Sequence, residues 1–141
     1  MPVTSTDDLK RIYAETKTIA VVGASTDESK PSHTIPRYLQ SQGYKIVPVS
    51  PRGGECLGER VYTSLAEVDV PIDVVDVFRP SEEVPGIARD AVAKGAKVLW
   101  MQSGIASDEA TKIAEDAGLE VIEDRCMGAT HRQLGLGPGP D

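Results

Sequence analysis

The sequence predicts a Rossmann-like α/β fold, in which a doubly wound, parallel five-stranded sheet lies between helices in three αβα layers. Two observations carry this prediction. Short, nearly continuous apolar runs recur along the chain, as in strands buried on both faces of a parallel sheet. Segments with helical patterning and capping residues separate these runs, as crossover helices do. Right-handed crossovers then predict the strand order 3-2-1-4-5, counted along the chain.

The five strands follow from the apolar runs. They are predicted over residues 18–22, 45–49, 72–77, 97–101 and 119–122. The length of 141 residues fits a single domain with a core of its own. We expect residues 1–134 to form this domain and the glycine- and proline-rich residues 135–141 to form a flexible C-terminal tail.

The helices follow from their start and stop signals. They are predicted over residues 6–16, over residues 32–42, over residues 64–68, from a Ser81 cap to Gly95, and from a Ser107 cap to Gly118. Thr6 is the expected cap of the first helix, because hydroxyl side chains accept from the free N–H groups of the first turn. Residues 52–58 are rich in glycine and are expected to form a loop.

Composition excludes several classes of partner. The chain has 15 Lys or Arg and 22 Asp or Glu, a net charge of −7, which argues against nucleic acid. No apolar run is long enough for a membrane span, and the first residues lack a signal-peptide pattern, so we expect a cytoplasmic protein with no membrane partner. The two cysteines and two histidines lack metal-ligand spacing, so we expect no metal.

The residues beyond the strand ends point to a phosphorylated ligand. In a doubly wound sheet, ligands bind outside the carboxyl ends of the strands, where the strand order reverses. Gly23, Ala24 and Ser25 follow the first strand, and this small turn lets an anion approach bare backbone N–H groups and the next helix N-terminus. Arg52 and Arg79 follow the next two strands. The set suits a nucleotide with phosphates.

Two common nucleotide motifs are incomplete here. The dinucleotide fingerprint needs three glycines and a carboxylate after the second strand, whereas this turn keeps only Gly23 and the second strand ends in Ser50-Pro51-Arg52. Arg52 is suited to a 2′-phosphate, so a small NAD(P)-dependent oxidoreductase stays an alternative. The phosphate-binding loop of nucleoside triphosphatases has no matching string.

Five segments stand in the order found in a known family. They are Ile19-Ala-Val-Val-Gly-Ala-Ser25, Gly43-Tyr-Lys-Ile-Val-Pro-Val-Ser-Pro51, Val75-Asp-Val-Phe-Arg-Pro80, Gly95-Ala-Lys-Val-Leu-Trp-Met-Gln-Ser-Gly104 and Gly118-Leu-Glu-Val-Ile-Glu-Asp-Arg-Cys126. The chain resembles a stand-alone CoA-binding protein and is similar to the N-terminal CoA-binding domain of the succinyl-CoA synthetase α subunit, across roughly residues 7–134. Ser50 departs from the asparagine that relatives commonly carry before the proline.

The resemblance implies a role in binding coenzyme A for each residue at the strand ends. The pyrophosphate would lie against Gly23, Ala24 and Ser25, with Lys30 and Ser32 as additional donors. Adenine and ribose would lie beside Val49, Ser50 and Pro51, with the ribose 3′-phosphate on Arg52. Phe78 and Arg79 would border the adenine or the start of the pantetheine arm, and Gln102 and Gly104 would line the far side of the cleft.

We therefore expect a non-catalytic protein that binds coenzyme A or an acyl-CoA. The resemblance implies that catalytic relatives use a phosphorylated histidine in a further domain, and the spacing of Cys126 and His131 matches no nucleophile mechanism. A CoA-sensing regulatory subunit with a protein partner, or a homodimer joined at a sheet edge, stays open. Gly23 also has a purely structural explanation as a tight turn, Ser32 as a helix cap, and the arginines as surface charges.

Overall fold

A central parallel sheet organises residues 1–139, the part of the chain that the computed structural model describes. Its strands, together with those of a small hairpin, are β1 (Thr18–Val22), β2 (Lys45–Val49), β3 (Glu55–Cys56), β4 (Glu59–Arg60), β5 (Val74–Val77), β6 (Val98–Met101) and β7 (Glu120–Ile122). The helices are α1 (Thr6–Glu15), α2 (Pro31–Ser41), α3 (Val84–Lys94), α4 (Asp108–Asp116) and α5 (Met127–Gln133). This arrangement confirms the predicted Rossmann-like α/β fold.

The predicted strand order is wrong in one place. The sheet runs β2-β1-β5-β6-β7, which is 2-1-3-4-5 when the five long strands are counted along the chain. β5 therefore pairs with β1, with Val21 opposite Asp76, and leaves β2 at the edge. Pro48 explains the position of β2. An internal strand forms hydrogen bonds along both of its sides, and a proline, which lacks the backbone N–H, cannot donate one of them. The order still reverses beside β1, so the crevice at its carboxyl end is retained.

Both outer edges of the sheet are partly covered by other segments of the chain. On the β2 side, Tyr62 donates its N–H to the Pro48 carbonyl at 3.0 Å and accepts from the Ser50 N–H at 2.9 Å. On the β7 side, the Val3 N–H donates to the Val121 carbonyl at 2.7 Å. Fewer backbone groups are therefore left on these edges to pair with a second chain.

Two apolar layers hold the helices on opposite faces of the sheet. One face packs α1, α2 and α5 around large buried side chains, among them Tyr13, Leu39, Trp100 and Met127. The other face packs α3, α4 and a short 3₁₀ turn at Leu65–Glu67, largely through small residues. Side chains of successive strand residues alternate between the two layers, so each strand is buried on both faces. Among the described residues, no helix is both long and apolar enough to cross a membrane.

The helix starts confirm one predicted cap and correct two. The Ser107 hydroxyl accepts from a first-turn N–H of α4 at 3.1 Å, as predicted. Helix α1 is capped by Ser5, whose hydroxyl accepts from the Asp8 N–H at 3.2 Å, and Thr6 is the first helical residue. Ser81 begins a short 3₁₀ turn ahead of α3, and its hydroxyl accepts from a distant loop N–H instead of capping the α-helix.

Two elements are absent from the sequence prediction. Helix α5 follows the last strand and is capped by Cys126, whose sulfur accepts from the Ala129 N–H at 3.4 Å. Part of the predicted loop over residues 52–58 forms strand β3, which pairs with β4 in a short antiparallel hairpin.

In the predicted tail, Leu136 packs against the α1 face of the core and the Gly139 N–H donates to the Gln42 carbonyl at 2.7 Å. Residues 140 and 141 lie outside the described residues.

Candidate functional site

Gly23 makes a close approach at the carboxyl end of β1 that no other residue allows. Its φ is +94°, and an added Cβ would lie 2.9 Å from Cδ of Arg79 and 3.3 Å from the backbone carbonyl carbon of Phe78. A side chain would therefore suffer both backbone strain and a clash with β5's continuation. The glycine lets the turn after β1 lie directly under the chain that leaves β5.

The N–H groups of this turn are already hydrogen-bonded. Gly23 and Ala24 both donate to the carbonyl of Val49, at 2.9 and 3.3 Å, and Ser25 donates to the Ser32 carbonyl at 3.4 Å. The expectation of bare amides at these three residues is therefore wrong. The strand-to-turn junction is closed by the end of β2, so the turn is a fixed scaffold for the loop that follows.

The loop between Ser25 and α2 is ordered by its own polar groups. The Asp27 N–H donates to the Ser25 hydroxyl at 3.0 Å, and the Asp27 carboxylate accepts from the N–H and hydroxyl of Ser29 at 3.0 and 2.7 Å. These bonds from Ser29 hold the pKa of Asp27 below its ordinary value. The loop is exposed, and it ends at Lys30, which directly precedes α2.

Three backbone amides of this segment have no hydrogen-bond acceptor among the described residues. Among residues 1–139, the N–H groups of Thr26, Glu28 and Ser32 donate to no protein group. Ser32 stands in the first turn of α2, where the helix dipole favours an anion, and the Lys30 side chain makes no capping bond there. The free donors therefore lie one, three and seven residues beyond Ser25. The segment from Gly23 to Ser32, at the carboxyl end of β1, is called the corner below.

Arg52 lies on the turn that follows β2, next to the same corner. The turn is closed by the Gly53 N–H, which donates to the Ser50 carbonyl at 3.1 Å, and by the Arg52 N–H, which donates to the Ser50 hydroxyl at 3.3 Å. Pro51 and Arg52 are exposed, and Val49 is buried. Within the described residues, no carboxylate forms an ion pair with Arg52, so its guanidinium is available to an anion.

Arg79 is placed differently from Arg52, although both follow a strand. Its guanidinium forms a two-point ion pair with Glu83, with Nη2–Oε2 and Nε–Oε1 distances of 2.8 and 3.1 Å. This pairing raises the pKa of Arg79 and lowers that of Glu83. Phe78 is half-buried against the α1 face of the core. Arg79 therefore covers Gly23 with its stem and has its charge already partnered.

Gln102 and Gly104, beyond β6, use their polar groups inside the protein. Gln102 is buried; its side-chain amide N–H donates to Asp76, and its side-chain oxygen accepts from the Met127 N–H at 3.3 Å. The Gly104 N–H donates to the Asp124 carboxylate at 2.6 Å. The structure thus brings these two residues to the same end of the sheet, with their hydrogen bonds directed to neighbouring protein groups.

Asp76 is a carboxylic acid inside the core. It is fully buried, one of its oxygens accepts from Gln102, and the other has no partner among the described residues. Burial raises its pKa to about 7, and the bond from Gln102 partly opposes this.

The Cys126 and His131 side chains have separate partners. His131 is buried among aromatic rings, and its Nδ1 lies 2.8 Å from the Tyr38 hydroxyl. Burial lowers the pKa of His131. Cys126 serves as the α5 cap described above. Across the described residues, no group of three or more His, Cys, Asp or Glu side chains is arranged to hold a metal ion.

Two buried side chains contact the Ser25 backbone from inside the protein. His33 of α2 and Cys56 of β3 are both buried, and each contacts the Ser25 carbonyl oxygen. The sequence marks His33 only as a helix-start residue, and nothing in its spacing to Cys56 indicates that the two meet. Only the folding of the β3–β4 hairpin back over α2 brings them together.

Comparison with known proteins identifies a family whose members share this sequence pattern. A model of the CoA binding domain family matches residues 17–132, which include every strand end described above. The uncharacterized protein YneT of Bacillus subtilis is 40% identical over 124 residues, which is 88% of this chain and 92% of YneT. A solved structure from Thermus thermophilus, cell-free ID.343, is 39% identical with a TM-score of 0.89, and the match covers 93% of this chain and 99% of that one.

A longer enzyme contains a similar segment. The ADP-forming acetate–CoA ligase of Methanocaldococcus jannaschii is 26% identical over 128 residues. The match covers 85% of this chain and 18% of the ligase, so this chain is similar to a small part of that enzyme.

Proposed function

Because the chain belongs to the CoA binding domain family, we propose that it binds coenzyme A or an acyl-CoA at the carboxyl ends of β1, β2 and β5. The observation that carries the proposal is an unpaired arginine next to unpaired backbone amides at the point where the strand order reverses. Arg52 is three residues beyond Val49, whose carbonyl accepts from Gly23 and Ala24. The two anion-binding features therefore belong to one corner of the molecule.

In this proposal the two phosphate groups of the ligand have different partners. The pyrophosphate lies over the turn at Gly23 and the loop to Ser32, where the free N–H groups and the positive end of α2 favour an anion. The ribose 3′-phosphate lies against Arg52, whose planar guanidinium donates two parallel hydrogen bonds to a phosphate. Adenine and ribose lie beside Ser50 and Pro51.

We also propose that this chain has no catalytic role of its own. The groups that would make a nucleophile and base pair are committed elsewhere, since His131 contacts Tyr38 and Cys126 caps α5. The other cysteine, Cys56, is buried, and burial raises its pKa, which keeps it as an unreactive thiol.

Isothermal titration with coenzyme A and with dephospho-CoA, which lacks only the 3′-phosphate, tests both assignments. We expect wild-type protein to bind both and to prefer coenzyme A. Arg52→Gln should remove that preference, by a factor on the order of ten to a hundred, because a hydrogen bond to a charged group contributes about 1.5–3 kcal/mol.

Arg89→Gln is the matched control, since Arg89 is an exposed arginine on α3 whose ion pair with Glu109 is equally exposed. It should leave both affinities unchanged. Failure of the wild-type protein to bind either nucleotide at millimolar concentration overturns the proposed function. Equal losses for both nucleotides in Arg52→Gln overturn the assignment of Arg52 to the 3′-phosphate.

A further inference from the structure

The Ser25 carbonyl is held by two buried side chains from different elements. Nδ1 of His33 lies 2.8 Å from the Ser25 carbonyl oxygen, and Sγ of Cys56 lies 3.4 Å from the same oxygen. The two side chains also approach each other, with 3.9 Å between Sγ and Nδ1. His33 is 7% exposed and Cys56 5% exposed, so both reach the oxygen from inside the protein.

The chemistry of these contacts fixes where the protons lie. A carbonyl oxygen only accepts, so Nδ1 of His33 carries a hydrogen and donates it. The Cys56 thiol is a weak donor, and burial raises its pKa, which keeps the hydrogen on the sulfur. The imidazole is therefore the stronger of the two donors, and Nδ1 remains a donor whether the ring is neutral or charged.

Fixing this carbonyl also fixes the next amide. In a trans peptide the C=O of one residue and the N–H of the next point in opposite directions. Since the Ser25 carbonyl is directed inward at His33 and Cys56, the Thr26 N–H is directed outward. That N–H has no protein partner among residues 1–139, whereas the Gly23 and Ala24 N–H groups donate to Val49.

We infer that His33 and Cys56 are positioning residues, which hold the Ser25 peptide so that the Thr26 N–H is presented to the pyrophosphate of the bound nucleotide. This inference rests on the proposed function and deepens it. It assigns the first free pyrophosphate donor to Thr26 instead of to Gly23 or Ala24. Because Cys56 lies in β3, four residues beyond Arg52, the pair also ties the Arg52 turn to the pyrophosphate loop.

Two variants at position 33 separate positioning from general structural support. His33→Ala removes the donor to Ser25, whereas His33→Asn retains an N–H on the atom bonded to Cγ, in the place of Nδ1. We expect His33→Ala to weaken coenzyme A and dephospho-CoA by the same factor, on the order of ten, which is the effect of one hydrogen bond to a charged group. His33→Asn should stay within about threefold of wild type. Cys56→Ala should have a smaller effect, because a thiol is a weak donor.

The ratio of the coenzyme A affinity to the dephospho-CoA affinity separates the two roles. A general loss of structure around the site would change this ratio, whereas loss of the positioning bond alone would not. Arg52 sets the preference for coenzyme A, so this preference should be unchanged in His33→Ala while both affinities fall. Thermal unfolding without ligand shows whether each variant is folded at the titration temperature. A folded His33→Ala protein with wild-type affinity, or a folded His33→Asn protein as weak as His33→Ala, overturns the inference and leaves the proposed function intact.

A measurement on the wild-type protein does not depend on any variant. In an ¹⁵N NMR titration with coenzyme A, the Thr26 amide signal should shift more than those of Gly23 and Ala24. Binding with large shifts at Gly23 and Ala24 and none at Thr26 overturns the inference. Absence of binding overturns the proposed function, and this inference with it.

Discussion

Replacing Asp76 by asparagine should change how the stability of the protein depends on pH. Asp76 is fully buried, and its pKa is raised from an ordinary 3.8 to about 7. Between these two values the folded protein keeps a proton that the unfolded chain has released. The free energy of unfolding therefore falls as the pH rises through this interval, and it levels off above pH 7.

The structure sets the size of this effect. Each pKa unit corresponds to about 1.4 kcal/mol, so a rise from 3.8 to about 7 corresponds to about 4 kcal/mol in total, of which roughly 3 kcal/mol falls between pH 5 and pH 8. Asparagine has the same shape, keeps the oxygen that accepts from Gln102, and cannot ionise. Asp76→Asn should therefore lack this part of the pH dependence and be more stable than wild type at pH 8.

Urea unfolding at several pH values, followed by Trp100 fluorescence, measures the effect. Trp100 is the only tryptophan, is fully buried, and lies opposite Asp76 in the β5–β6 register. His131, whose pKa is lowered by burial, contributes a slope of opposite sign, but it does so in both proteins, so the difference between the two curves isolates Asp76.

Asp90→Asn is the control, because Asp90 is an exposed aspartate on α3. It should follow the wild-type curve, since its side chain is hydrated in both the folded and unfolded states. Parallel curves for wild type and Asp76→Asn between pH 5 and pH 8 would refute the reasoning. That result would mean that the buried carboxylate ionises at little cost.

Three further substitutions test the fold around the site. Gly23→Ala should cost about 1–2 kcal/mol from its φ of +94° alone and also weaken coenzyme A binding, measured by thermal unfolding and titration; unchanged values of both would contradict the close approach. Ser107→Ala should cost about 1 kcal/mol in urea unfolding through loss of the α4 cap, whereas exposed Ser103→Ala should cost nothing measurable, and equal costs would contradict the cap. Tyr13→Phe removes the hydrogen bond of 2.6 Å that the Tyr13 hydroxyl donates to the Met127 carbonyl and should cost about 1 kcal/mol by the same assay; a neutral effect would contradict this bond.

Strand positions were predictable because burial on both faces leaves a continuous apolar run for each strand. The run that ends at Met101, for example, gives the position of β6 to within one residue. Strand order was not given by these runs, because every strand of such a sheet has the same apolar character. Pro48 is the signal that the sequence does carry. A proline inside a strand favours an edge position, which places β2 at the edge and moves β5 to the other side of β1.

The location of the candidate site could be predicted from the sequence, but the backbone amides that are free to bind a ligand could not. Gly23 and the arginines after the strands locate the corner, since carboxyl ends of parallel strands meet at one edge. Which amides are free depends on the Val49 carbonyl, a group 26 residues away in sequence, and this pairing leaves no trace in composition or spacing. The different states of Arg52 and Arg79 were partly predictable, because Glu83 follows Arg79 by four residues, and the short 3₁₀ turn at Ser81–Glu83 brings its carboxylate back to the guanidinium.

The local hydrogen-bond and ion-pair geometry makes the proposed binding of an anion compatible with an acidic chain. The net charge is −7, yet the charge of one nearby carboxylate, Glu83, is offset by its ion pair with Arg79. Asp27 keeps its charge, and its bonds from Ser29 hold the carboxylate in place within the loop. The unpaired Arg52 guanidinium and the free loop amides are the groups here that favour a phosphate. Overall charge therefore argues against a long polyanion such as nucleic acid without arguing against a compact phosphorylated ligand, because only the former must contact a wide basic face.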